Sequence, residues 1–155
     1  MEHLIIITKS ERVRQYIGTP VSVFIPNRSL FELKDAYVIH NHPRGSSFSW
    51  EDIKIITQQN AKECFLVTSK YVHHLVRPEE GWNIDVESKE FAELYEACRR
   101  IGQETLDKMV TKNEITLGES DVEIIHYIWV SIFSIRNIRY VRKRIEDFQN
   151  TIYGC

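Results

Sequence analysis

The sequence has few cysteines and no paired ones. Its three cysteines, Cys64, Cys98 and Cys155, are widely separated in a chain of 155 residues, and no C-x-x-C motif is present. An odd number of isolated cysteines argues against a disulfide framework and against a zinc site made of thiolates. We therefore expect the protein to work in a reducing, cytoplasmic setting.

Long apolar runs are also missing. The N-terminal run Leu4-Ile5-Ile6-Ile7 is much shorter than the core of a signal peptide. No later stretch approaches the ~20 apolar residues that span a bilayer. The sequence thus predicts a soluble protein that does not insert into a membrane.

Neither sign of charge is in large excess. Lys and Arg number 20 against 22 Asp and Glu, and the formal net charge is −2. This balance gives no overall attraction to nucleic acid or to an anionic membrane. The basic residues near the C-terminal end are Arg136, Arg139, Arg142, Lys143 and Arg144. We interpret them as a solvated helix face rather than a nucleic-acid-binding stripe, because Glu146 and Asp147 dilute the cluster.

The first half of the chain has the pattern of an α/β unit. Strands are predicted at residues 4–8, 13–17, 21–25, 36–40, 64–68 and 71–76, with a Gly18-Thr19-Pro20 turn after the second. A short helix is predicted over residues 26–34, and a longer one begins after Ser49. This alternation predicts a mixed β-sheet flanked by helices over residues 1–82.

The second half, residues 83–155, has the pattern of a helical hairpin. Apolar residues recur at helical spacing at Phe91, Leu94, Tyr95, Cys98 and Ile101. Residues 113–118 interrupt this helix, and Ser120 with Glu123 predicts a capping box for a second helix that ends near residue 148. The second helix has an apolar stripe at Ile125, Ile128, Trp129, Ile132 and Ile135. We expect this stripe to pack on the preceding helix or on a second copy of the chain, which would give a homo-oligomer.

His40 and His42 are the strongest candidates for metal ligands. Residues i and i+2 of a strand point the same way, so the end of the strand presents both imidazoles to one side. Asp52 follows ten residues later in the first turn of a helix, and the intervening Gly-Ser loop can bring it back towards the histidines. Two imidazoles and one carboxylate suit zinc, and three protein ligands leave a fourth position for water. The pattern indicates a catalytic zinc site.

Some of these residues have structural alternatives. Ser49-x-x-Asp52 before an apolar helix is also a variant of the capping box, so either residue can serve the helix end as well as the site. His73 and His74 are adjacent and point to opposite faces of a strand, and we interpret them as ordinary strand residues. A metal-dependent hydrolase barrel is excluded by length, since such a barrel typically needs ~250 residues.

The segments His40-Asn41-His42-Pro43 and Ser49-Trp50-Glu51-Asp52 resemble the signature of the JAMM (MPN+) metalloproteases, most closely the RadC-like branch. The resemblance covers about residues 2–82, although the interval between His42 and Ser49 is one residue shorter than is usual in the family. A similar pattern is found in domains of phage head-morphogenesis proteins. The family's fold, a sandwich of the JAMM and cytidine-deaminase type, is therefore what the resemblance implies for this half of the chain.

The resemblance also implies roles for single residues. It assigns zinc binding to His40, His42 and Asp52, stabilisation of the tetrahedral intermediate to Ser49, and the general acid/base to Glu2. Glu11 and Glu32 are alternatives for the base, but the first is expected in a turn and the second on a short helix. Neither position naturally reaches the end of the metal-binding strand.

The sequence supports two functional hypotheses. The first is a zinc-dependent hydrolase that cuts a peptide or isopeptide bond in a peptide or protein substrate. The second is a noncatalytic JAMM-like module of a phage or mobile-element protein, which would act through protein–protein contacts. The resemblance to RadC also suggests association with DNA, but the net charge of −2 and the lack of a recognised DNA-binding motif give that role little support.

Overall fold

The computed structural model describes residues 1–147 as six strands, three α-helices and one 3-10 helix. The strands are β1 (His3–Ile7), β2 (Val13–Ile17), β3 (Tyr37–Asn41), β4 (Glu63–Val67), β5 (Tyr71–Val76) and β6 (Arg139–Arg144). The helices are α1 (Trp50–Gln58), α2 (Lys89–Thr111) and α3 (Leu117–Ile135), and the 3-10 helix covers Asn27–Leu33. The predicted α/β class is confirmed.

All six strands form one mixed sheet in the order β2-β1-β3-β4-β5-β6. Only the β3–β4 pair is parallel, and the other neighbouring pairs are antiparallel. Helix α1 lies in the connection between the two parallel strands, as such a crossover requires. The predicted mixed sheet is therefore present, and it brings the first and last parts of the described chain into one layer.

The core lies against one face of this sheet. Strand residues alternate between this buried face and a half-buried face, as the two-residue period of a strand requires. The buried strand residues include Leu4, Ile6, Val38, Cys64, Leu66 and Leu75. Helix α1 contributes Ile53 and Ile56 to the same core.

The two long helices pack on each other and on the sheet. A Cβ atom at Gly102 would lie 3.3 Å from both Ile124 Cδ1 and Tyr127 Cβ, so the absence of a side chain there lets α2 and α3 approach closely. Of the predicted apolar stripe on α3, the residues Ile128, Trp129 and Ile132 are buried in the core of the chain. Trp129 packs on Phe91 and Tyr95 of α2, as the first of the two predicted alternatives, packing on the preceding helix, requires.

The predicted end of the second helix is wrong. Helix α3 ends at Ile135, Asn137 adopts a left-handed conformation with φ of 54°, and residues 139–144 form β6 along β5. Asparagine tolerates this conformation better than most residues and commonly ends helices. Arg139 and Lys143 therefore do not lie on a helix face, and the predicted basic face of this helix is also wrong.

The predicted capping box of this helix is displaced by four residues. Thr116, not Ser120, is the N-cap: its hydroxyl accepts the N–H of Glu119 at 3.2 Å, and Glu119 Oε2 accepts the N–H of Thr116 at 2.9 Å. Both segments have the same S/T-x-x-E spacing. The upstream pair begins the helix, and Ser120 lies buried within its first turn.

The strand predicted over residues 21–25 is absent, and that prediction is wrong. Thr19 and Ser22 form a tight turn instead, in which Thr19 N–H donates to the Ser22 carbonyl at 2.7 Å. A Cβ atom at Gly18 would lie only 2.0 Å from that carbonyl oxygen, so the turn requires glycine there. The β-branched residues that predicted a strand therefore belong to an irregular segment.

Cys64 and Cys98 are buried free thiols, whereas Cys155 and the predicted helix end near residue 148 lie outside the described residues. Within residues 1–147, no helix combines the length and the apolar character needed to cross a membrane.

Candidate metal centre

His40 and His42 lie at the end of β3 and face the buried side of the sheet. Both are buried, and their ring centroids are 4.7 Å apart with an interplanar angle of 84°. The two-residue period of a strand places both side chains on one side, as the sequence predicts. The two imidazoles are thus close neighbours in a water-poor environment.

Glu2 is brought beside these histidines by the neighbouring strand. Leu4 pairs with His40 in the antiparallel β1–β3 ladder, so the same register carries residue 2 to the level of His42. The backbone of Glu2 is fixed on its other side, where its N–H donates to Thr19 O at 2.8 Å and its carbonyl accepts Gly18 N–H at 2.9 Å. These bonds extend the β1–β2 ladder and keep the first residues of the chain in place.

Asn41, between the two histidines, has a structural role that sequence reasoning missed. Its side-chain oxygen accepts the N–H of His3, and its side-chain amide donates to the carbonyl of Met1 at 3.2 Å. These two bonds hold the chain on both sides of Glu2. The two-residue spacing of the histidines gave no indication of this role, because it concerns the backbone of another strand.

Glu2, His40 and His42 form a group that can hold a metal ion. One ligand atom from each residue lies within 4.8 Å of the other two, and all three residues are buried. Glu2 Oε2 is 3.3 Å from His40 Nε2. This separation is close to the edge of a tetrahedron of zinc ligands, which is about 3.4 Å for bonds of ~2.1 Å.

Asp52 faces both histidines from the first turn of α1. Its Oδ1 lies 3.4 Å from His40 Nδ1, and its Oδ2 lies 3.3 Å from His42 Nε2. Glu2 and Asp52 thus approach different nitrogens of the His40 ring, Glu2 at Nε2 and Asp52 at Nδ1. Glu2 is the carboxylate that groups with both histidines around one point, and Asp52 contacts one nitrogen of each imidazole.

Ser49 and Asp52 also form the capping box that their spacing predicts. Asp52 Oδ2 accepts hydrogen bonds from the N–H of Ser49 at 2.7 Å and from its hydroxyl at 2.8 Å, and Ser49 Oγ accepts the N–H of Asp52 at 3.1 Å. The capping interpretation is therefore confirmed. Because the same carboxylate also faces both imidazoles, the helix cap fixes the position of Asp52 in the site.

The ionisation of Asp52 and His42 is coupled. Burial opposes ionisation of Asp52, but hydrogen bonds with His40 and His42 outweigh it and hold the pKa of this carboxyl well below its usual value. Burial likewise opposes charging of His42, yet the hydrogen bond and the charge of Asp52 raise the pKa of this imidazole. The site therefore retains a carboxylate at neutral pH, in the form that binds a cation.

The loop after β3 fixes the second ring nitrogen of His42. Nδ1 of His42 lies 3.2 Å from the carbonyl oxygen of Ser46 and 3.1 Å from that of Ser47. Carbonyl oxygens only accept hydrogen bonds, so Nδ1 carries a proton. In the metal-free chain the Asp52 carboxylate favours a proton on Nε2 as well, and loss of that proton gives the neutral ring whose Nε2 can bind a metal ion.

The other acidic candidates lie elsewhere. Glu11 occupies a turn after β1, with φ of 63° and its N–H bonded to Thr8 O at 2.8 Å. Glu32 lies on the 3-10 helix and pairs with Arg14 at 3.2 Å. Glu2 is therefore the acidic residue, among the three considered for the base, that the structure brings to the histidines.

A cleft of about 440 Å³ adjoins the loop that follows His42. It lies between this loop, the β4–β5 turn and the facing sides of α2 and α3. Its lining residues include Arg44, Gly45, Lys70, Tyr71, Met109 and Val122. The C-terminal helices thus form one wall of a depression beside this loop, whereas His40 and Asp52 line a separate cavity of about 50 Å³.

Comparison of the chain with protein-family models, with curated proteins and with solved structures gives no match.

Proposed function

We propose that this chain is a zinc-dependent hydrolase of peptide or isopeptide bonds, with the JAMM type of α/β sandwich. The observation that carries the proposal is the buried convergence of Glu2, His40 and His42. Asp52 adds to it because its two oxygens each face one of the imidazoles. A buried cluster of two imidazoles and two carboxylates is costly without a cation, since each carboxylate loses its hydration.

The donor set favours zinc over harder or softer cations. Imidazole nitrogen with carboxylate oxygen is a ligand combination that zinc accepts in catalytic sites, whereas magnesium and calcium prefer oxygen alone. Burial raises the pKa of the Cys64 thiol well above its usual value, so this cysteine remains protonated and is not a thiolate ligand. The site is therefore built from nitrogen and oxygen ligands.

We assign zinc binding to His40, His42 and Asp52, and the general acid/base to Glu2. With zinc bound to these residues, the ion would supply Lewis acidity and would lower the pKa of a water molecule to about 7. Glu2 then accepts the proton of the attacking water and transfers it to the nitrogen of the leaving amine. The Ser49 hydroxyl donates to Asp52 Oδ2 in the substrate-free chain, and in the reaction it would exchange that hydrogen bond for one to the oxygen that becomes negatively charged on the substrate.

The cleft beside the loop offers a place for the substrate chain. Arg44 and Gly45, which line it, follow His42 by two and three residues. Met109 and Val122 give the cleft an apolar side for a substrate side chain, and Arg44 is exposed and able to meet an acidic group. A peptide segment lying in this cleft would contact the loop that follows His42.

Metal analysis followed by substrate assays tests the proposal. Purified protein should carry about one zinc per chain, and His42→Ala should lose it, because an imidazole is removed from the site. His3→Ala is the matched control, since His3 is an exposed neighbour of Glu2 outside the cluster. The zinc-loaded protein should then cut at least one substrate in a panel of linear and isopeptide-linked peptides.

Two results would contradict this proposal. Wild-type protein that binds no zinc after supplementation has no metal centre of this kind. Protein that binds zinc but cuts no member of the panel is not this hydrolase, and that outcome favours a noncatalytic JAMM-like module of a phage or mobile-element protein.

A further inference from the structure

Tyr140 is the centre of a buried polar cluster on the side of the loop away from the histidines of the metal centre. Its hydroxyl lies 2.7 Å from His73 Nδ1, 2.8 Å from His126 Nδ1 and 3.1 Å from Ser47 Oγ. Tyr140 lies on β6, His73 on β5, His126 on α3 and Ser47 in the loop that follows β3. We call Tyr140, His73, His126 and Ser47 the tyrosine cluster.

The protons of the cluster can be placed from its contacts. Nε2 of His73 is buried and has no hydrogen-bond partner within residues 1–147. A buried N–H without a partner costs more than an unused acceptor, so the proton of this ring belongs on Nδ1. His73 Nδ1–H then donates to the hydroxyl oxygen of Tyr140.

The remaining hydrogen bonds follow from this first one. A tyrosine hydroxyl donates one hydrogen bond and accepts up to two. The Tyr140 hydroxyl accepts a hydrogen bond from His73 and therefore donates its own proton to His126 Nδ1. It can also accept a hydrogen bond from the Ser47 hydroxyl. Each hydrogen bond then has one donor and one acceptor, and the cluster holds the Ser47 side chain in one orientation.

The charges around the cluster agree with neutral rings. Burial, followed by the charge of Arg142, lowers the pKa of His73 to about 4 and that of His126 to about 3. Burial raises the pKa of Tyr140 above its usual value. All three groups therefore remain uncharged at neutral pH, which the proton placement requires.

Ser47 connects the cluster to the metal centre. While its hydroxyl contacts Tyr140, its carbonyl oxygen lies 3.1 Å from His42 Nδ1. The next residue, Phe48, is held from the same side, because its carbonyl accepts the indole N–H of Trp129 at 2.7 Å. Residues 47 and 48 of the loop are thus held by residues that lie 93 and 81 positions later in the chain, respectively.

We propose that Tyr140 is a positioning residue for the candidate metal centre: through Ser47 it keeps His42 protonated on Nδ1 and leaves Nε2 to bind the ion. The part that concerns the metal rests on the proposed function. The part that concerns the proton on His42 does not, because it is a property of the metal-free chain.

Tyr140→Phe is the variant that tests this role. It removes the hydroxyl but leaves a ring that can keep the aromatic contact with Phe133, whose centroid is 5.3 Å from that of Tyr140. Tyr95→Phe is the matched control, since Tyr95 also packs against α3, with its ring centroid 5.6 Å from that of Trp129, and does not contact the loop. Ser47→Ala removes the same hydrogen bond from its other end, because it deletes the hydroxyl that contacts Tyr140 and keeps the carbonyl that contacts His42.

The first measurement is the ¹⁵N chemical shifts of the imidazoles in metal-free, ¹⁵N-labelled protein. In wild-type protein His42 should show a protonated Nδ1, whatever the protonation of Nε2, which faces the Asp52 carboxylate. In Tyr140→Phe and in Ser47→Ala we expect a substantial fraction of the opposite tautomer, and in Tyr95→Phe the wild-type pattern. A variant that merely loses stability but remains folded would not change the proton position on His42.

The second measurement is zinc affinity, obtained by competition with a chelator. Loss of an interaction that orients a metal ligand typically weakens binding 10–100-fold, and we expect a loss of about this size in both loop variants. An unchanged His42 tautomer in the folded loop variants overturns the inference. If wild-type protein binds no zinc but the tautomer shifts as expected, the role of Tyr140 is supported and the proposed hydrolase is wrong.

Discussion

Asp52 Oδ2 lies 3.3 Å from His42 Nε2, and it is also the atom that accepts the capping hydrogen bonds at the start of α1. A single carboxylate oxygen therefore joins the end of a helix to an imidazole at the end of a strand. This relationship allows the two roles of Asp52, helix cap and metal ligand, to be separated by experiment.

Asp52→Asn should weaken zinc binding strongly, because the neutral amide loses the charge that balances the cation. We expect the zinc dissociation constant to rise by at least ~10²-fold, or about 2.7 kcal/mol. The matched control is Glu119→Gln, which alters the equivalent capping box of α3 away from the site. The control should lose only the ~0.5–2 kcal/mol typical of a cap.

Chelator competition gives the affinities of both variants, and urea unfolding gives their stabilities. If Asp52 were only a helix cap, Asp52→Asn would match Glu119→Gln in both measurements and keep full zinc occupancy.

Glu2→Gln should separate metal binding from chemistry. The proposed general acid/base role would contribute ~10²–10⁴-fold to the rate, so hydrolysis should fall by that factor while zinc content and stability persist. Glu32→Gln is the control, since it removes a carboxylate that pairs with Arg14 rather than with the histidines. The measurements are kcat and bound zinc on the same preparations.

A different result for Glu2→Gln would assign it another role. A large loss of zinc would show that Glu2 is a ligand, as its 3.3 Å separation from His40 Nε2 allows. A wild-type rate of hydrolysis with full zinc would exclude Glu2 as the base.

Gly18→Ala should destabilise the protein and disturb Glu2. The added Cβ would lie 2.0 Å from the Ser22 carbonyl oxygen, so the turn must shift, and this turn holds the backbone of Glu2. Overpacking of this kind costs about 1–3 kcal/mol. Urea unfolding measures the loss of stability. Zinc affinity shows whether the shift of the turn also disturbs the candidate metal centre.

Gly118→Ala provides the comparison for this prediction. A Cβ atom at Gly118, in the first turn of α3, would meet no atom within 4 Å, and alanine favours the helix. It should leave stability unchanged or increase it by up to ~1 kcal/mol. Equal stability of both alanine variants would show that the close contact at Gly18 is relieved at no cost.

The tyrosine cluster should make the metal-free protein sensitive to mild acid. The pKa of His126 is lowered to about 3 in the folded state, against about 6.5 in the unfolded chain. Below pH ~6.5 the unfolded state binds the additional proton, so stability falls as the pH falls towards the folded value. The pKa of His73, lowered to about 4, acts in the same direction.

His126→Asn removes one of these titrating groups and keeps a polar side chain near Tyr140. Wild-type protein should lose more stability between pH 7 and pH 4 than the variant, by an amount on the order of 2–3 kcal/mol. Urea unfolding at several pH values measures this difference. If the stability of the two proteins changed with pH in parallel, His126 would have the same pKa in the folded and the unfolded state, and the prediction would be wrong.

The local parts of the site could be predicted from the sequence, because they depend on short spacings. The two-residue period of a strand places His40 and His42 on one face, and the Ser49-x-x-Asp52 spacing predicts the start of a helix. Both features are present. The choice between ligand and cap could not be made for Asp52, because both roles use the same spacing.

The long-range parts could not be predicted in this way. Strand β6 has the sequence Arg-Tyr-Val-Arg-Lys-Arg, whose charges also fit a helix face, and its pairing with β5 decides its conformation. The contact between Tyr140 and Ser47 joins residues 93 positions apart. No periodicity within either segment indicates such a contact.

Because β6 is the last strand along the described chain, the contacts that it makes with the loop beside His42 form late in synthesis. At ~5–20 residues per second, a ribosome takes about 5–20 s to add the roughly one hundred residues between His42 and Tyr140. Until then the loop beside His42 lacks the partners that hold Ser47 and Phe48. The nascent chain therefore has its candidate metal ligands well before it has Tyr140, and if the proposed roles hold, tight binding of metal would be reached only at the end of translation.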